Sequence, residues 1–152
     1  MKKVYFFILL VSMSTNIIGQ ESDLTDKELV KKVIIDSFDE IWSNLDSVKI
    51  KQYHTDDFLL LEHGEVWNNK TIKDYQKRSL QAGQIPERIN KFEFIEVKIS
   101  GNTAWLAYHN YATFSMKNKV VRNAHWLESA TAIKTKSGWK LQMLHSTRVN
   151  NK

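Results

Sequence analysis

The sequence predicts an α+β domain in which helices near the amino end pack on one side of a curved antiparallel sheet. Three observations carry this prediction. Apolar residues recur at helical spacing early in the chain, long segments of alternating polarity follow after about residue 90, and short turn sequences separate those segments. Helices followed by a meander of strands indicate an α+β fold rather than an alternating α/β one. At 152 residues the chain is long enough for one such domain with its own core.

Three helices are expected before the sheet. The first extends from about residue 24 to 45, because residues 25–28 (TDKE) have the spacing of a capping box and the apolar positions after them repeat every three or four residues. A short helix should follow over residues 46–53. The third is expected over residues 71–82, with the asparagine pair at 68–69 able to cap its start.

The remaining segments predict strands. A small hairpin is expected over residues 58–67, where a Glu-His-Gly-Glu sequence separates two short apolar runs. Longer strands should then form a meander across tight turns, over residues 90–100, 103–116, 120–135 and 138–149.

The pairing of the last two strands predicts which side chains point toward the helices. A two-residue turn at residues 137–138 pairs Ala130 with His145, which then lies diagonal to Glu128. The inner face of this hairpin is expected to carry Trp126, Glu128, Ala130, Ala132, Leu141, Met143, His145 and Thr147. On the preceding strand the expected inner set is Trp105, Ala107, His109, Tyr111 and Thr113. In strand 90–100 the two phenylalanines suggest that the even-numbered residues point inward, whereas the later aliphatic residues suggest that the odd-numbered ones do. The sequence therefore does not decide which face of this strand points inward.

The first 20 residues, MKKVYFFILLVSMSTNIIGQ, have the pattern of a secretory signal peptide. Two lysines precede a largely apolar run, Val4 to Met13, that is too short to cross a bilayer of about 30 Å, and the small Gly19 lies just before polar sequence. We expect a signal peptide over residues 1–19, a mature domain over residues 24–149, and a secreted or periplasmic protein with no membrane attachment after cleavage. The alternative is an uncleaved membrane anchor.

Composition and motifs argue against several classes of partner. The net charge of +5 is small and its lysines are scattered, which does not favour nucleic acid. Without cysteine the chain forms no disulfide or thiolate site. The five histidines show no metal-binding spacing, and no phosphate loop, dinucleotide fingerprint or nucleophile elbow occurs. We therefore predict no metal, no cofactor and no nucleic-acid partner.

Three segments near the carboxyl end resemble a known family. They read WLESA at residues 126–130, SGWKL at 137–141 and HST at 145–147, and they are similar to the closing hairpin of SnoaL-like and DUF4440-type proteins. The resemblance covers about residues 24–149. It implies the cone-shaped nuclear-transport-factor-2-like (NTF2-like) fold, in which the sheet and first helix enclose a pocket. That superfamily includes isomerase-like enzymes, polyketide cyclases, a kinase association domain and secreted proteins of unknown role, so the fold does not determine the function.

The pocket implied by this resemblance has several candidate site residues. If the site is catalytic, His145 or His63 is the expected base and Glu128 orients it. Tyr111 would then donate to a developing oxyanion. Other expected ligand contacts are Trp126, His109, Trp67, Met143 and Glu62. The competing interpretation makes His145 a structural histidine bonded to Glu128, and places His109 and Tyr111 in the core or the pocket wall.

Two functions are compatible with such a pocket. We favour binding of a small, largely apolar molecule. The alternative is a cofactor-independent isomerase or lyase of the ketosteroid isomerase or polyketide cyclase type, which abstracts a proton or dehydrates its substrate.

A homodimer through the outer sheet face is also expected and is compatible with either function. The apolar spots predicted on that face are Leu127, Ile133, Leu144, Tyr108 and Phe114.

Overall fold

A computed structural model describes residues 24–150, which form three α-helices and one six-stranded sheet. The helices are α1 (Asp26–Ser37), α2 (Ile50–Tyr53) and α3 (Asn69–Gln81). The predicted signal peptide lies outside the described residues. Within residues 24–150, no helix combines the length and the apolar character needed to cross a bilayer.

The sheet confirms the predicted α+β class. Its strands are β1 (His54–Glu62), β2 (Glu65–Asn68), β3 (Glu87–Ser100), β4 (Thr103–Met116), β5 (Lys119–Thr135) and β6 (Gly138–Arg148). Their spatial order is β2-β1-β6-β5-β4-β3, with every neighbouring pair antiparallel except the parallel pair of β1 and β6. The early hairpin therefore extends the meander at the β6 edge instead of standing apart from it.

The first helix begins as predicted and then changes its winding. Thr25 and Glu28 form the reciprocal capping box, which satisfies free N–H groups of the first turn. After Ser37 the chain continues as a π-helix over Phe38–Ser43, a form that is rare and often found at functional sites. The carbonyl of Ile41 in this π-helical segment accepts a hydrogen bond of 2.7 Å from Nε2 of Gln76, which ties α3 to it.

The core lies between α1 and the inner face of the sheet. Val30 and Ile34 of α1 are fully buried in one cluster with the inner-face residues of β4, β5 and β6. The central strands contribute three alanines to that cluster, Ala104, Ala130 and Ala132, and their small side chains leave room for the bulk of the helix. Burying each large aliphatic side chain contributes about 1.5–3 kcal/mol.

A β-bulge in β3 explains why the sequence did not decide which face of this strand points inward. Phe94 pairs with Tyr108 and Glu96 with Ala107, so Ile95 has no partner of its own and is 58% exposed. Because one extra residue reverses the alternation, the phenylalanines before the bulge and the aliphatic residues after it all face the core. Both readings of the sequence were correct, each for one half of the strand.

A second bulge, in β6, overturns the predicted position of His145. Leu141 pairs with Ala132 but Met143 pairs with Thr131, which leaves Gln142 as the extra residue. Leu141 and Leu144 are consequently both buried, while His145 is exposed. The inward positions predicted for Met143, His145 and Thr147 are therefore wrong, because the prediction assumed unbroken alternation.

The turn of this hairpin also differs from the expected one. Thr135 pairs with Gly138, so the turn residues are Lys136 and Ser137. The resulting shift is two residues, which preserves the face of each side chain, and Leu141 is buried as predicted.

The inward-facing side predicted for β4 is wrong. The buried residues are Ala104, Leu106, Tyr108, Asn110, Ala112 and Phe114, and the set expected to be inside, with His109 and Tyr111, faces outward. The register explains this result, since Leu106 pairs with Ala130 and paired residues share a face. Of the five apolar spots assigned to the outer face, Tyr108 and Phe114 are consequently inside, and the β6 bulge places Leu144 inside as well. The homodimer stays a prediction.

The β6 bulge generates the first testable prediction. Leu144→Ala should lower the free energy of unfolding by about 2–5 kcal/mol, because it removes a buried side chain. His145→Ala at the neighbouring exposed position should change it by less than about 0.5 kcal/mol. Urea denaturation of both variants measures the difference. A larger loss in His145→Ala than in Leu144→Ala would contradict the bulged register.

Candidate functional site

Two adjacent spaces with shared wall residues lie on the inner side of the sheet. The inner cavity has a volume of about 30 Å³ and is lined by Phe38, Trp42, Leu60, Glu62, Arg88, Trp126, Glu128, Leu144 and Ser146. It has room for about one water molecule. The outer chamber has a volume of about 440 Å³ and shares four of these residues, Trp42, Glu62, Arg88 and Trp126. The rest of its wall includes Ser43, His63, Trp67, Tyr75, Ile85, Pro86, Phe114 and Arg122.

The position of the inner cavity follows from the strand register. One row of paired residues crosses the sheet as Glu62, Ser146, Glu128, Tyr108 and Phe94, from β1 to β3. Paired residues point to the same side, so this row places two carboxyl groups, a hydroxyl and a phenol on the inner face. The π-helical segment covers the row with Phe38 and Trp42.

Glu128 is the more buried of the two carboxyl groups that line the inner cavity. The residue is only 4% exposed. Oε1 accepts a hydrogen bond of 2.9 Å from the hydroxyl of Ser146, and Oε2 accepts one of 3.4 Å from Nδ2 of Asn110. Burial raises the pKa of Glu128 to about 7, outweighing the opposite effects of Ser146 and of the positive charge on Arg88. A carboxyl group with this pKa can give or take a proton near neutral pH.

Three buried polar atoms around Glu128 lack a hydrogen-bond partner in residues 24–150: the Tyr108 hydroxyl, Oδ1 of Asn110 and Nε1 of Trp126. Tyr108 pairs directly with Glu128, close enough to affect its pKa, and Asn110 pairs with Trp126. Buried polar atoms are normally satisfied by protein, water or ligand. Of these three residues only Trp126 lines the two spaces, so its Nε1 is the donor that a molecule in the site can reach.

Arg88 stands between the two spaces. Its Nε donates a hydrogen bond of 2.9 Å to Oδ1 of Asn90. The guanidinium carbon lies 5.5 Å from the ring centre of Phe38, 5.5 Å from that of Phe114 and 5.3 Å from that of Trp126. Cation–π attraction holds a guanidinium in such surroundings. Burial lowers the pKa of Arg88, partly offset by the negative charge on Glu128, although an arginine stays protonated in proteins.

The rim of the outer chamber carries further charges and aromatic rings. Nε2 of His63 lies 3.4 Å from Oε1 of Glu62. The guanidinium carbon of Arg122 lies 3.8 Å from the ring centre of Phe114. Among the rings, Trp67 and Tyr75 have their centres 5.6 Å apart. The chamber is therefore aromatic in its walls and ionic at its edges.

The structure brings five of the nine predicted site residues to these spaces. Glu128 and Trp126 line the inner cavity, and Glu62, His63 and Trp67 line the outer chamber. The roles assigned to them stay predictions.

The other four predicted residues, His145, Met143, His109 and Tyr111, point away from the site. On the outer face, Nδ1 of His109 lies 2.8 Å from Nε2 of His125, and the ring of Tyr111 stacks on that of His125 with centres 4.2 Å apart. Tyr111 cannot donate to an oxyanion inside the cone. The position expected for His145 beside Glu128 belongs to Ser146.

Sequence reasoning missed Arg88, Asn110 and Ser146. Two signals were available. Arg88 lies an even number of residues from the phenylalanines of β3 and so shares their face. Asn110 lies among the alternate apolar residues of β4, which are Ala, Leu, Tyr, Ala and Phe. Ser146 had no such signal, because only the bulge turns it inward. Within residues 24–150, no three His, Cys, Asp or Glu side chains come together in a way that could hold a metal ion.

Comparisons with known proteins support the fold. No family model and no curated protein matches the chain. Among solved structures, a ketosteroid isomerase-like protein from Erwinia carotovora has a TM-score of 0.62 at 17% identity, over 83% of this chain and 98% of that one. An NTF2-like protein of unknown function from Shewanella oneidensis has a TM-score of 0.61 at 17% identity, over 80% of this chain and 98% of that one. An NTF2-like protein from Cytophaga hutchinsonii has a TM-score of 0.57 at 15% identity, over 78% of this chain and 98% of that one.

These similarities, together with the helices and curved sheet, confirm that the chain has the NTF2-like fold. At such identities the likeness concerns the fold alone. The narrower SnoaL-like or DUF4440-type assignment stays a prediction.

The pKa of Glu128 predicts a specific dependence of stability on pH. Its folded-state pKa of about 7 exceeds the ordinary value of 4.5, so the folded protein binds more protons than the unfolded chain between these values. The contribution of Glu128 to the free energy of unfolding is fully present below about pH 4.5 and is lost as the pH rises through about 7. The total loss is about 3 kcal/mol. Glu128→Gln cannot ionise and should lack this loss.

Urea denaturation at pH 4.5 and pH 8 measures the free energy of unfolding of both proteins. The exposed Glu87→Gln is the matched control and should follow the wild type. A Glu128→Gln variant with the same pH dependence as wild type would refute the assignment of the raised pKa to Glu128.

Proposed function

We propose that this domain binds a small, largely apolar molecule in the outer chamber, with the polar end of that molecule directed at Glu128. One observation carries the proposal. An aromatic chamber of about 440 Å³ shares four residues with the small cavity that Glu128 lines, and Nε1 of Trp126, which lines both, has no partner in residues 24–150. Binding sites for small molecules have this composition, with apolar walls and a few convergent polar groups.

The size and walls of the chamber support a planar or chain-like ligand. A cavity of about 150 Å³ accepts a benzene ring, and the chamber is about three times larger. Trp42 and Trp67 flank Tyr75, with ring centres 6.3 Å and 5.6 Å from it. Such rings offer large contact areas at low conformational cost.

The leader sequence supports export as part of the same proposal. A domain with a basic and apolar leader over residues 1–19 would meet its ligand outside the cytoplasm. We propose assembly through the outer sheet face as well, where Leu127 is 44% exposed and Trp105 43% exposed.

A second candidate function is cofactor-independent isomerisation or elimination. The observation that favours it is a buried carboxyl group with a pKa of about 7 close to an arginine. In this version Glu128, rather than a histidine, transfers the proton, and Arg88 stabilises negative charge that develops on a carbonyl oxygen. The likeness to a ketosteroid isomerase-like protein supports keeping this candidate.

Binding can be tested with Nile red, an uncharged dye that brightens in apolar surroundings. The wild-type protein should bind it, and Trp67→Ala should weaken the binding roughly ten-fold because the chamber loses an aromatic wall. Val48→Ala is the control, because Val48 is 79% exposed and does not line the chamber, and it should leave the affinity unchanged. Fluorescence titration measures all three. Absence of binding to the wild type, or equal weakening in both variants, would overturn the proposal.

Catalysis requires a separate test with small β,γ-unsaturated ketones, whose isomerisation is followed by ultraviolet absorbance. If the second candidate is correct, Glu128→Gln should lower the rate at least about 100-fold while Nile red still binds. Rates that are equal in the two proteins, or no different from buffer, would leave binding as the function.

A further inference from the structure

The positive charge of Arg88 has no carboxylate partner at ion-pair distance within residues 24–150, although the side chain lines both spaces of the site. Its one side-chain hydrogen bond uses Nε and goes to the neutral amide of Asn90. The terminal N–H groups, which form the end of the guanidinium fork, make no hydrogen bond with the described protein. They are therefore available to a ligand.

Packing holds this fork in place. The guanidinium lies among the rings of Phe38, Phe114 and Trp126, and Asn90, which accepts from it, donates in turn to the hydroxyl of Ser43 at 3.0 Å. A planar group fixed in this way loses little freedom when it binds a second planar group. Arg88 thus has the properties of a prepared recognition site.

Glu128, Glu62 and Asp39 attract the charge of Arg88, but none of them forms an ion pair with it within residues 24–150. Glu128 directs its two oxygens to Ser146 and Asn110, and its raised pKa leaves it partly protonated at neutral pH. Glu62 lies beside the imidazole of His63. A partly buried cation without a counterion is costly, and an anion on the ligand would remove that cost.

We infer that the ligand carries a carboxylate, which the guanidinium fork of Arg88 binds with its apolar part in the outer chamber. This inference deepens the proposed function and rests on it. The fork matches the two oxygens of a carboxylate, and such charge-assisted pairs are strong. A single negative charge suits the site better than a phosphate dianion, since Glu62 and Glu128 lie close to the same space.

An unpartnered donor beside Arg88 strengthens the choice of a carboxylate. Trp126 lines both spaces, and its buried Nε1 has no partner in the described chain. A carboxylate has more acceptor positions than one fork occupies. In its protonated form Glu128 can donate to the same group, which predicts tighter binding of the carboxylate below pH 7.

Displacement of Nile red by two matched competitors tests the inference. The competitors are 2-naphthoate and 2-naphthamide, which share shape and differ in charge, compared at pH 6.5. The wild-type protein should bind the carboxylate roughly ten- to one-hundred-fold more tightly than the amide. Octanoate and octanamide repeat the comparison with a flexible chain.

Variants locate the effect at Arg88. Arg88→Gln should abolish the preference for the carboxylate and leave amide binding within about three-fold, and Arg88→Lys should keep part of the preference because it retains charge without the fork. Arg148→Gln is the control, since its guanidinium also lies over Trp126, at 4.6 Å, but does not line the chamber. That variant should keep the full preference.

The outcomes separate this inference from the function on which it rests. If Nile red binds but the amide displaces it as well as the carboxylate does, or neither competitor displaces it, the inference fails and the binding function stands. A preference that persists in Arg88→Gln also overturns it. If Nile red does not bind the wild type, the proposed function itself fails.

Discussion

The close packing of α1 on the sheet is the constraint on which the rest of the structure depends. Ala104, Ala130 and Ala132 have side chains too small to fill the space above the central strands, so the helix fills it with Val30 and Ile34. Polar contacts hold the start of the helix in the same position, since Asp26 accepts hydrogen bonds from Lys134 and from the indole of Trp139 at 2.8 Å and 3.0 Å. These contacts bury one part of the inner face under α1, and the site lies beside it under the π-helical segment.

Around the site, the inner faces of the same strands carry polar and large aromatic residues as well as alanines. Asn110, Trp126 and Glu128 continue the inner faces of β4 and β5, and the π-helical segment covers them in place of the regular helix. Burial stabilises the apolar residues, but it disfavours the charged form of Glu128. The pKa of Glu128 is therefore raised to about 7. A buried carboxyl group and a guanidinium therefore line one small cavity without forming an ion pair within residues 24–150. Such an arrangement reduces stability and is typical of sites that interact with something else.

The fold could be predicted well because its signals are local and repeated. The capping box at Thr25, the helical spacing after it and the alternation within each strand all act over a few residues. The site could be predicted only in part. Glu128 and Trp126 were placed correctly because β5 alternates without interruption around them, whereas His145 was misplaced by one extra residue at Gln142. Nothing in the sequence GWKLQMLHST marks that bulge, since Leu, Met and Leu satisfy the apolar face in either register.

By itself the sequence determined the class of fold, the order of the helices and strands, and the acid at position 128 as an inner-face residue. These follow from periodicity, because burial of one face is decided along a single element. Only the tertiary structure decided which groups meet. The pairing of Glu128 with Ser146, the position of Arg88 among three rings and the removal of His109 and Tyr111 to the outer face all depend on strand register. Register is set by packing of the whole sheet against the helix, and a single bulge reverses it for every residue that follows.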